Sequence, residues 1–399
     1  MKVLVFPHHL EIGGSQTNAI DLATAVRDQF GHEMVFCATP GPAGELIAER
    51  GFRLIELARP KATPSPTLLR QVHTAVRDEQ PDLLHAYDNQ QIFDAFYGAH
   101  LIGRMPVLAT NMSMAVQTWL PRTIPITYGT AALAEEAKAT QNAPVWLLEP
   151  PVDTDVHAPG AVDPSAFRAE WQLDDGSITI VVVSRLVSWM KAEGIRRAID
   201  AVAALATTRR IRFVIVGGGT AYDDLAARAD EVNHAAGCRL VVMTGPLIDP
   251  KPAYAAADIV IGMGGSILRG MAFAKPAVIL GEEGFSEAFT PETASLFLRE
   301  GMYGLGGGAP SDLAGQLAGL IDDADARSQL GAYARSQVVA RFGLVASAAA
   351  LDDMYRQTIS WQQPVARQWA DAATTLVRCA ASQLPAPVKD RVRRLTRAH

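Results

Sequence analysis

The sequence predicts an α/β protein built from two doubly wound domains that face each other across a cleft. Three observations predict it. The chain has 399 residues, more than one hydrophobic core of about 250–300 residues supports. Short apolar runs alternate with amphipathic helical stretches along most of its length. The alternation is broken once, by the proline- and aspartate-rich stretch EPPVDTDVHAPGAVDPSAF at 149–167, and then resumes.

In the first series the predicted strands are KVLVF (2–6), EMVFCA (33–38), RLIEL (53–57), DLLHA (82–86), PVLAT (106–110), IPIT (124–127) and PVWLL (144–148). SQTNAIDLATAVRDQF (15–30) and PTLLRQVHTAVRDE (66–79) are among the helices between them. These runs lack strict alternation, as expected of parallel strands buried on both faces. The stretch 149–167 has no periodicity and reads as a linker. The second series runs through SITIVVVS (177–184), IRFVIVGG (211–218), RLVVMTG (239–245), DIVIG (258–262) and PAVIL (276–280). The expected division is 1–160, 170–345, and a closing helix with a basic tail at 346–399. In such sheets ligands sit where strand ends meet helix starts, so the turns after strands are the places to search.

Composition narrows the function. With 20% charged and 49% hydrophobic residues the chain reads as globular, and a net charge of −6 gives no sign of a nucleic-acid partner. The segment 361–399 differs. Arg367, Arg378, Lys389, Arg391, Arg393, Arg394 and Arg397 against Asp371 and Asp390 give it +5 and leave −11 elsewhere. It reads as a helix docking on the first domain with a solvated end, or as a contact with anionic lipid. Cys37, Cys238 and Cys379 match no metal-ligand spacing, and the strand-like settings of Cys37 and Cys238 suggest buried thiols. No run reaches the roughly 18 apolar residues that span a bilayer, and the N-terminus lacks a signal-peptide pattern. A reducing, cytoplasmic location is expected.

Five turns can carry chemistry. EIGGSQTN (11–18) follows the first strand, and Gly13 and Gly14 suit either an anion at a helix start or an ordinary tight turn. His8 and His9 just before it read as structural or as polar cleft groups. In VVVSRLVSWMKAEGI (181–195), Arg185 and Lys191 frame a loop before a helix starting near Ala192. They form a clamp for a diphosphate or are two solvated cations. VGGG (216–219), with Gly217 and Gly218, is a further backbone turn. Asp153 and Asp155 in VDTD have D-x-D metal spacing, but a turn capped by aspartate explains them better. Finally, GMGGSILRG (262–270) places Gly264, Gly265 and Ser266 as an anion nest. Arg269 sits one turn on, where a helix N-terminus disfavours a cation by ~0.3–1 kcal/mol unless a phosphate or a carboxylate such as Glu282 or Glu283 meets it. Neither a G-x-G-x-x-G with an acidic ribose reader nor a P-loop is present.

Together these turns resemble those of Rossmann-like GT-B glycosyltransferases of the retaining family-four kind, over most of residues 1–360. IGGSQTNAIDLA is similar to that family's first turn, LLEPPVDTDVHAPG to its inter-domain segment, and SRLVSWMKAEGI to its Arg/Lys phosphate loop. MTGPLIDPKPAYAAADIVI is similar to its donor-base region, MAFAKPAVIL to its helix-to-strand turn, and RFGLVASAAALDDMYRQTI (341–359) to its closing helix. The resemblance implies transfer of a sugar from a nucleoside-diphosphate sugar to a hydroxyl or amine of a small-molecule or glycan acceptor, with no metal and no further cofactor. It implies donor contacts at Arg185, Lys191, Gly217, Gly218, Gly264, Gly265, Ser266, Arg269 and Glu282, and acceptor contacts at Gly13, Gly14, His85 and Asp88. The implied catalytic groups are Arg185, Lys191, Asp88 and Glu283. The family's two glutamates fall here on Ile261 and Arg269 and its first-domain histidine on Met112. Glu282, Glu283 and Glu287 in GEEGFSE, and Asp88, are the acids expected to stand in. A nucleotide-sugar epimerase and a non-catalytic nucleotide-sugar-binding partner are the alternatives.

Overall fold

A computed structural model of the chain describes residues 1–383, apart from residues 8, 12, 61, 62, 174 and 175. The chain divides into two units: Met1–Glu149 with Val345–His399, and Pro150–Leu344.

Unit 1 holds seven strands: β1 Lys2–Phe6, β2 Glu33–Ala38, β3 Arg53–Glu56, β4 Leu83–Tyr87, β5 Val107–Asn111, β6 Ile126–Tyr128 and β7 Val145–Leu147. All are parallel, in the order β3-β2-β1-β4-β5-β6-β7. The central strands β1, β4 and β5 are covered on both faces, which accounts for their lack of polar–apolar alternation. Helix ends follow local chemistry. Ser65 caps the helix Pro66–Glu79, with proline at its first position. Gly31, at φ 67°, closes the helix Gly14–Phe30. The helices Leu344–Ser360 and Val365–Ser382 complete this unit, and the first buries Ala348, Leu351, Met354, Tyr355 and Thr358.

Unit 2 holds β8 Ile178–Val183, β9 Ile211–Val216, β10 Val241–Gly245, β11 Ile259–Gly262, β12 Ala277–Leu280 and β13 Ser286–Ala288, in the order β10-β9-β8-β11-β12-β13. Ile180 and Val182 point into one core layer and Val181 into the other, as the two-residue period of a strand requires. The helix Ala192–Leu205 buries Ile195, Ala198, Ile199, Val202 and Leu205, a helical spacing that packs on the first of those layers.

Three readings change. Strand β13 is antiparallel to β12 and was not expected, because Ser-Glu-Ala carries no apolar signature. The stretch read as a linker is built into unit 2. The Val152 N–H bonds the Phe342 carbonyl at 2.7 Å and the Leu344 N–H bonds the Val152 carbonyl at 3.0 Å. Arg335 binds the carbonyls of Thr154, His157 and Ala272. Cys238 is exposed, because α-helix Tyr222–Ala236 ends at Gly237 and β10 begins only at Val241; Cys37 and Cys379 are the buried thiols.

Candidate functional site

In each sheet the strand order reverses between the unit's first and fourth strands, β1 and β4 in unit 1, β8 and β11 in unit 2. Brackets of this kind open a crevice at the strand C-termini where ligands bind. The turns singled out in the sequence after β1, β4, β8 and β11 are the turns that flank these two points.

In unit 2, β8 leads into residues 184–191. Arg185 is exposed and half-buried Lys191 stands just before the helix Ala192–Leu205. The backbone turns sharply, with Met190 at φ 68° and the Lys191 N–H bonded to the Trp189 carbonyl at 2.8 Å. Burial, and then the neighbouring Arg185 charge, hold the Lys191 ammonium below the ordinary lysine range. Neither cation has an ion pair among the described residues. The nearest acid in sequence, Glu193, instead accepts the Gly284 N–H at 3.1 Å and lies 4.0 Å from Arg197. Two cations without a carboxylate partner among the described residues, beside a helix start, make a favourable setting for an anion.

The glycines after β9 support this loop. The Gly217 N–H is taken by the Gly245 carbonyl at 2.9 Å, and a Cβ there would lie 1.8 Å from the Ser184 carbonyl oxygen. At Gly218 the carbonyl accepts the Leu186 N–H at 2.8 Å. The expected donor contact at Gly217 is therefore corrected: its N–H is spent, and it is glycine so that two turns can touch.

After β11 the nest is smaller than expected. The Gly264 N–H goes to the Met302 carbonyl at 2.7 Å, and the Ser266 hydroxyl donates to the Met263 carbonyl at 3.0 Å. Neither is a free donor. The N–H groups of Gly265 and Ser266 remain in the first turn of the helix Gly265–Ala272, where no preceding carbonyl serves them. A Cβ on Gly265 would lie 3.9 Å from Arg269 Nη1, so the guanidinium folds back toward the start of its own helix. No ion pair with Glu282 or Glu283 offsets it; among the described residues it has no carboxylate partner. Its field is felt nearby: burial, with Arg269 and Lys251 adding to it against the Asp153 carbonyl, drives His157 down to about 4.

The acids after β12 divide. Glu282 is half-buried and accepts the Tyr303 hydroxyl at 2.7 Å; burial, and then this contact, raise the tyrosine's pKa. Glu283 is exposed at φ 54°. The turn is tied to residues 304–306 by Glu282 N–H to Gly304 O (3.0 Å) and Gly306 N–H to Glu282 O (2.9 Å). Glu287 lies on β13 opposite Ile279, back from the turn. Asp153 accepts the N–H groups of Asp155 and Val156 at 3.0 and 3.2 Å, the aspartate-capped turn the sequence favoured.

In unit 1, Gly13 precedes and Gly14 opens the helix Gly14–Phe30. A Cβ on Gly14 would meet nothing within 4 Å among the described residues, so their packing does not demand glycine there. Asp88, at φ 64°, begins the helix Asp88–Ala95 and takes a 2.6 Å hydrogen bond from Ser15 Oγ. Behind it, Asn111 Nδ2 donates to Asn89 Oδ1 at 3.0 Å and Asn111 Oδ1 accepts the Ser113 N–H at 2.8 Å. Sequence reasoning missed Ser15, Asn89 and Asn111; their only signal was a polar residue next to a strand end. His85 is corrected outright. It is 0% exposed in mid-strand, with Nδ1 at 2.8 Å from the Tyr355 hydroxyl and Nε2 at 2.7 Å from Thr110 Oγ1. Burial pushes it to about 3. It is a core histidine and meets no acceptor. His8 and the basic residues at 389–397 lie outside the described residues.

Two Rossmann-like units, each with this strand order and a polar switch point, define the GT-B class of fold. Residues 177–323 match the family of glycosyl transferases group 1. Among solved structures, the chain is similar to a glycosyltransferase of Rickettsia africae (TM-score 0.71, 14% identity, 90% of this chain and 99% of that one). It is also similar to Anabaena HepE in complex with UDP-glucose (0.70, 18%, 90% and 100%), and to MnaA of S. aureus in its UDP co-structure (0.61, 13%, 91% and 98%). A comparison with curated proteins gives no match.

Proposed function

We propose that the protein is a glycosyltransferase that moves a sugar from a nucleoside-diphosphate sugar to a hydroxyl or amine of an acceptor. The observation that carries this is the uncompensated Arg185–Lys191 pair at the switch point of unit 2, inside the family-matched region. Negative charge grows on the leaving diphosphate as the glycosidic bond breaks, and preorganised cations aimed at it lower the barrier. They do there what a divalent ion would do, so no metal or further cofactor enters the scheme. The Gly265 and Ser266 N–H groups and Arg269 hold the rest of the nucleotide diphosphate. On unit 1, Gly13, Gly14 and the Ser15–Asp88 pair receive the acceptor, with Asp88 managing its proton. Retention of configuration, a hexose as the sugar and a cytoplasmic location belong to the same reading; the three unpaired cysteines suit a reducing compartment.

The test is a thermal-shift screen against UDP-, GDP- and dTDP-sugars, followed by product analysis with and without acceptors. A donor at 100 times its dissociation constant adds ~2.7 kcal/mol. Transfer that survives Lys191→Ala unchanged removes the clamp and this reading with it. An isomerised sugar formed from donor alone means epimerisation instead.

A further inference from the structure

The helix Val365–Ser382 is fixed to unit 1 by one face only. Gln368, Asp371, Ala372, Thr375 and Cys379 are buried. Asp371 Oδ2 accepts the N–H groups of Arg122 and Thr123 at 2.7 and 3.0 Å and the Thr123 hydroxyl at 2.8 Å. Tyr97 donates to the Ala372 carbonyl at 2.6 Å.

The outer face breaks the rule for surface helices, which turn charge to water. Positions 365, 366, 369, 370, 373, 376, 377, 380 and 381 are all exposed and all Val, Ala, Trp or Leu. At 100° per residue they fill one continuous arc of roughly 160°. Trp369 is 52%, Leu376 42% and Val377 70% exposed. Arg367 and Arg378 fall together at one border of this arc. The short helical turn Leu101–Gly103, which packs on this helix, exposes Ile102 and is followed by exposed Arg104. Seven residues beyond Ser382, the sequence KDRVRRLTR (389–397) carries a net +4 on a chain whose remainder is −10.

We propose that this face docks on an anionic lipid bilayer. A helix lying in the interfacial plane sinks its apolar side to the acyl boundary while neighbouring Lys and Arg side chains meet lipid phosphates. The chain has both halves: an apolar arc with exposed Arg367 at its border, and a basic segment a few residues further along the sequence. Charge favours lipid over a second copy of the chain as the occupant, since a segment of net +4 is drawn to anionic headgroups and repelled by its own kind. The inference does not depend on the sugar chemistry.

The experiment is co-sedimentation of the full chain with vesicles of phosphatidylcholine alone or with 30% phosphatidylglycerol, alongside Val377→Glu, Trp369→Glu and the triple reversal Arg391→Glu, Arg393→Glu, Arg394→Glu. Thermal melts and sedimentation velocity accompany each variant. Each basic residue near the surface is worth roughly fivefold in partitioning. The expected result is binding to the anionic vesicles, at least about tenfold weaker to neutral ones, and at least about tenfold weaker for the triple variant and for either glutamate variant at unchanged melting temperature. If a glutamate variant melts early, the triple variant, whose positions lie outside the described residues, decides alone. Equal partitioning of all forms, or a self-association that Val377→Glu abolishes without vesicle binding by the native chain, overturns the proposal.

Discussion

Ser15 Oγ donates to Asp88 Oδ2 at 2.6 Å, joining the turn after β1 to the turn after β4 across 73 residues of sequence. Asp88 holds φ 64°, a region where non-glycine residues carry about 1–3 kcal/mol of strain and which clusters at functional sites. If the carboxylate serves the reaction, Asp88→Gly keeps the melting temperature, because glycine accepts that backbone freely. Turnover then falls by about 10²–10⁴, the usual contribution of a positioned acid or base. Steady-state rates beside thermal melts check this. A parallel loss of stability and activity makes Asp88 a structural residue only.

Lys191 sets the expected pH dependence of donor binding. Its pKa is lowered by burial and by Arg185, and only its charged form attracts a diphosphate. Affinity for UDP therefore falls as pH rises through that lowered pKa, earlier than an ordinary lysine near 10.4 allows. Binding restores the proton's advantage, so the complex takes up protons on formation in the alkaline range. Calorimetry at pH 7 to 10 in two buffers of different ionisation enthalpy reads both effects. In Arg185→Ala the falling limb moves to higher pH. A pH-independent affinity over this range means that Lys191 does not meet the anion.

The helix Gly265–Ala272 is short enough that Arg269 falls in its last turn, not in the first turn where the sequence suggested a dipole penalty. Arg269 sits near Gly265 without a carboxylate, and it adds to the electrostatic cost at His157. Residues kept for a ligand tend to cost stability without one. Arg269→Gln is thus expected to hold or raise the melting temperature of the free protein by a degree or two. Donor affinity falls by roughly 10- to 150-fold, the range of a charge-assisted hydrogen bond of about 1.5–3 kcal/mol. Melts with and without donor separate the two effects. A variant that melts earlier but binds equally well assigns Arg269 to the fold.

The sequence revealed the strands better than the partners. All twelve expected strands exist because parallel strands covered by helices are mostly apolar, and the switch points follow from chain order. What stayed hidden needs three dimensions. The Ser15–Asp88 bond, the capture of the Gly264 N–H by Met302 and the use of Gly217 to admit the Ser184 carbonyl leave no trace in spacing. His85 looked like a site residue because the expected strand DLLHA (82–86) placed it next to the strand's end, whereas β4 runs on to Tyr87. Alternation decides its fate, since its side chain points to the layer that the helix carrying Tyr355 covers. Strand β13, at an edge and three residues long, buries too little to be patterned.

Two buried groups of unit 1 pull its acid–base stability in opposite directions. His85, at about 3 when folded, titrates near 6.5 when unfolded. The unfolded chain then binds the extra proton, so this group costs stability as pH falls from 6.5 toward 3. Asp94 is 0% exposed. Gln90 donates to its Oδ2 at 2.7 Å, while its Oδ1 has no hydrogen-bond partner among the described residues. Burial raises it to about 7 against the opposing Gln90 bond. Its folded pKa lies above its unfolded value near 3.9, so the protein is most stable toward it below pH 3.9 and loses that advantage as pH climbs to 7. Asp94→Asn removes the charge and keeps the shape and the Gln90 contact. At pH 8 it is expected to stabilise the protein by at least about 1 kcal/mol, a shift of a few degrees in a chain of this size. At pH 4.5, where the native carboxyl is already protonated, the two proteins melt together. Denaturation melts at both pH values read the difference directly. An equal gain at both, or none at pH 8, means that Asp94 is not a buried carboxylate at neutral pH.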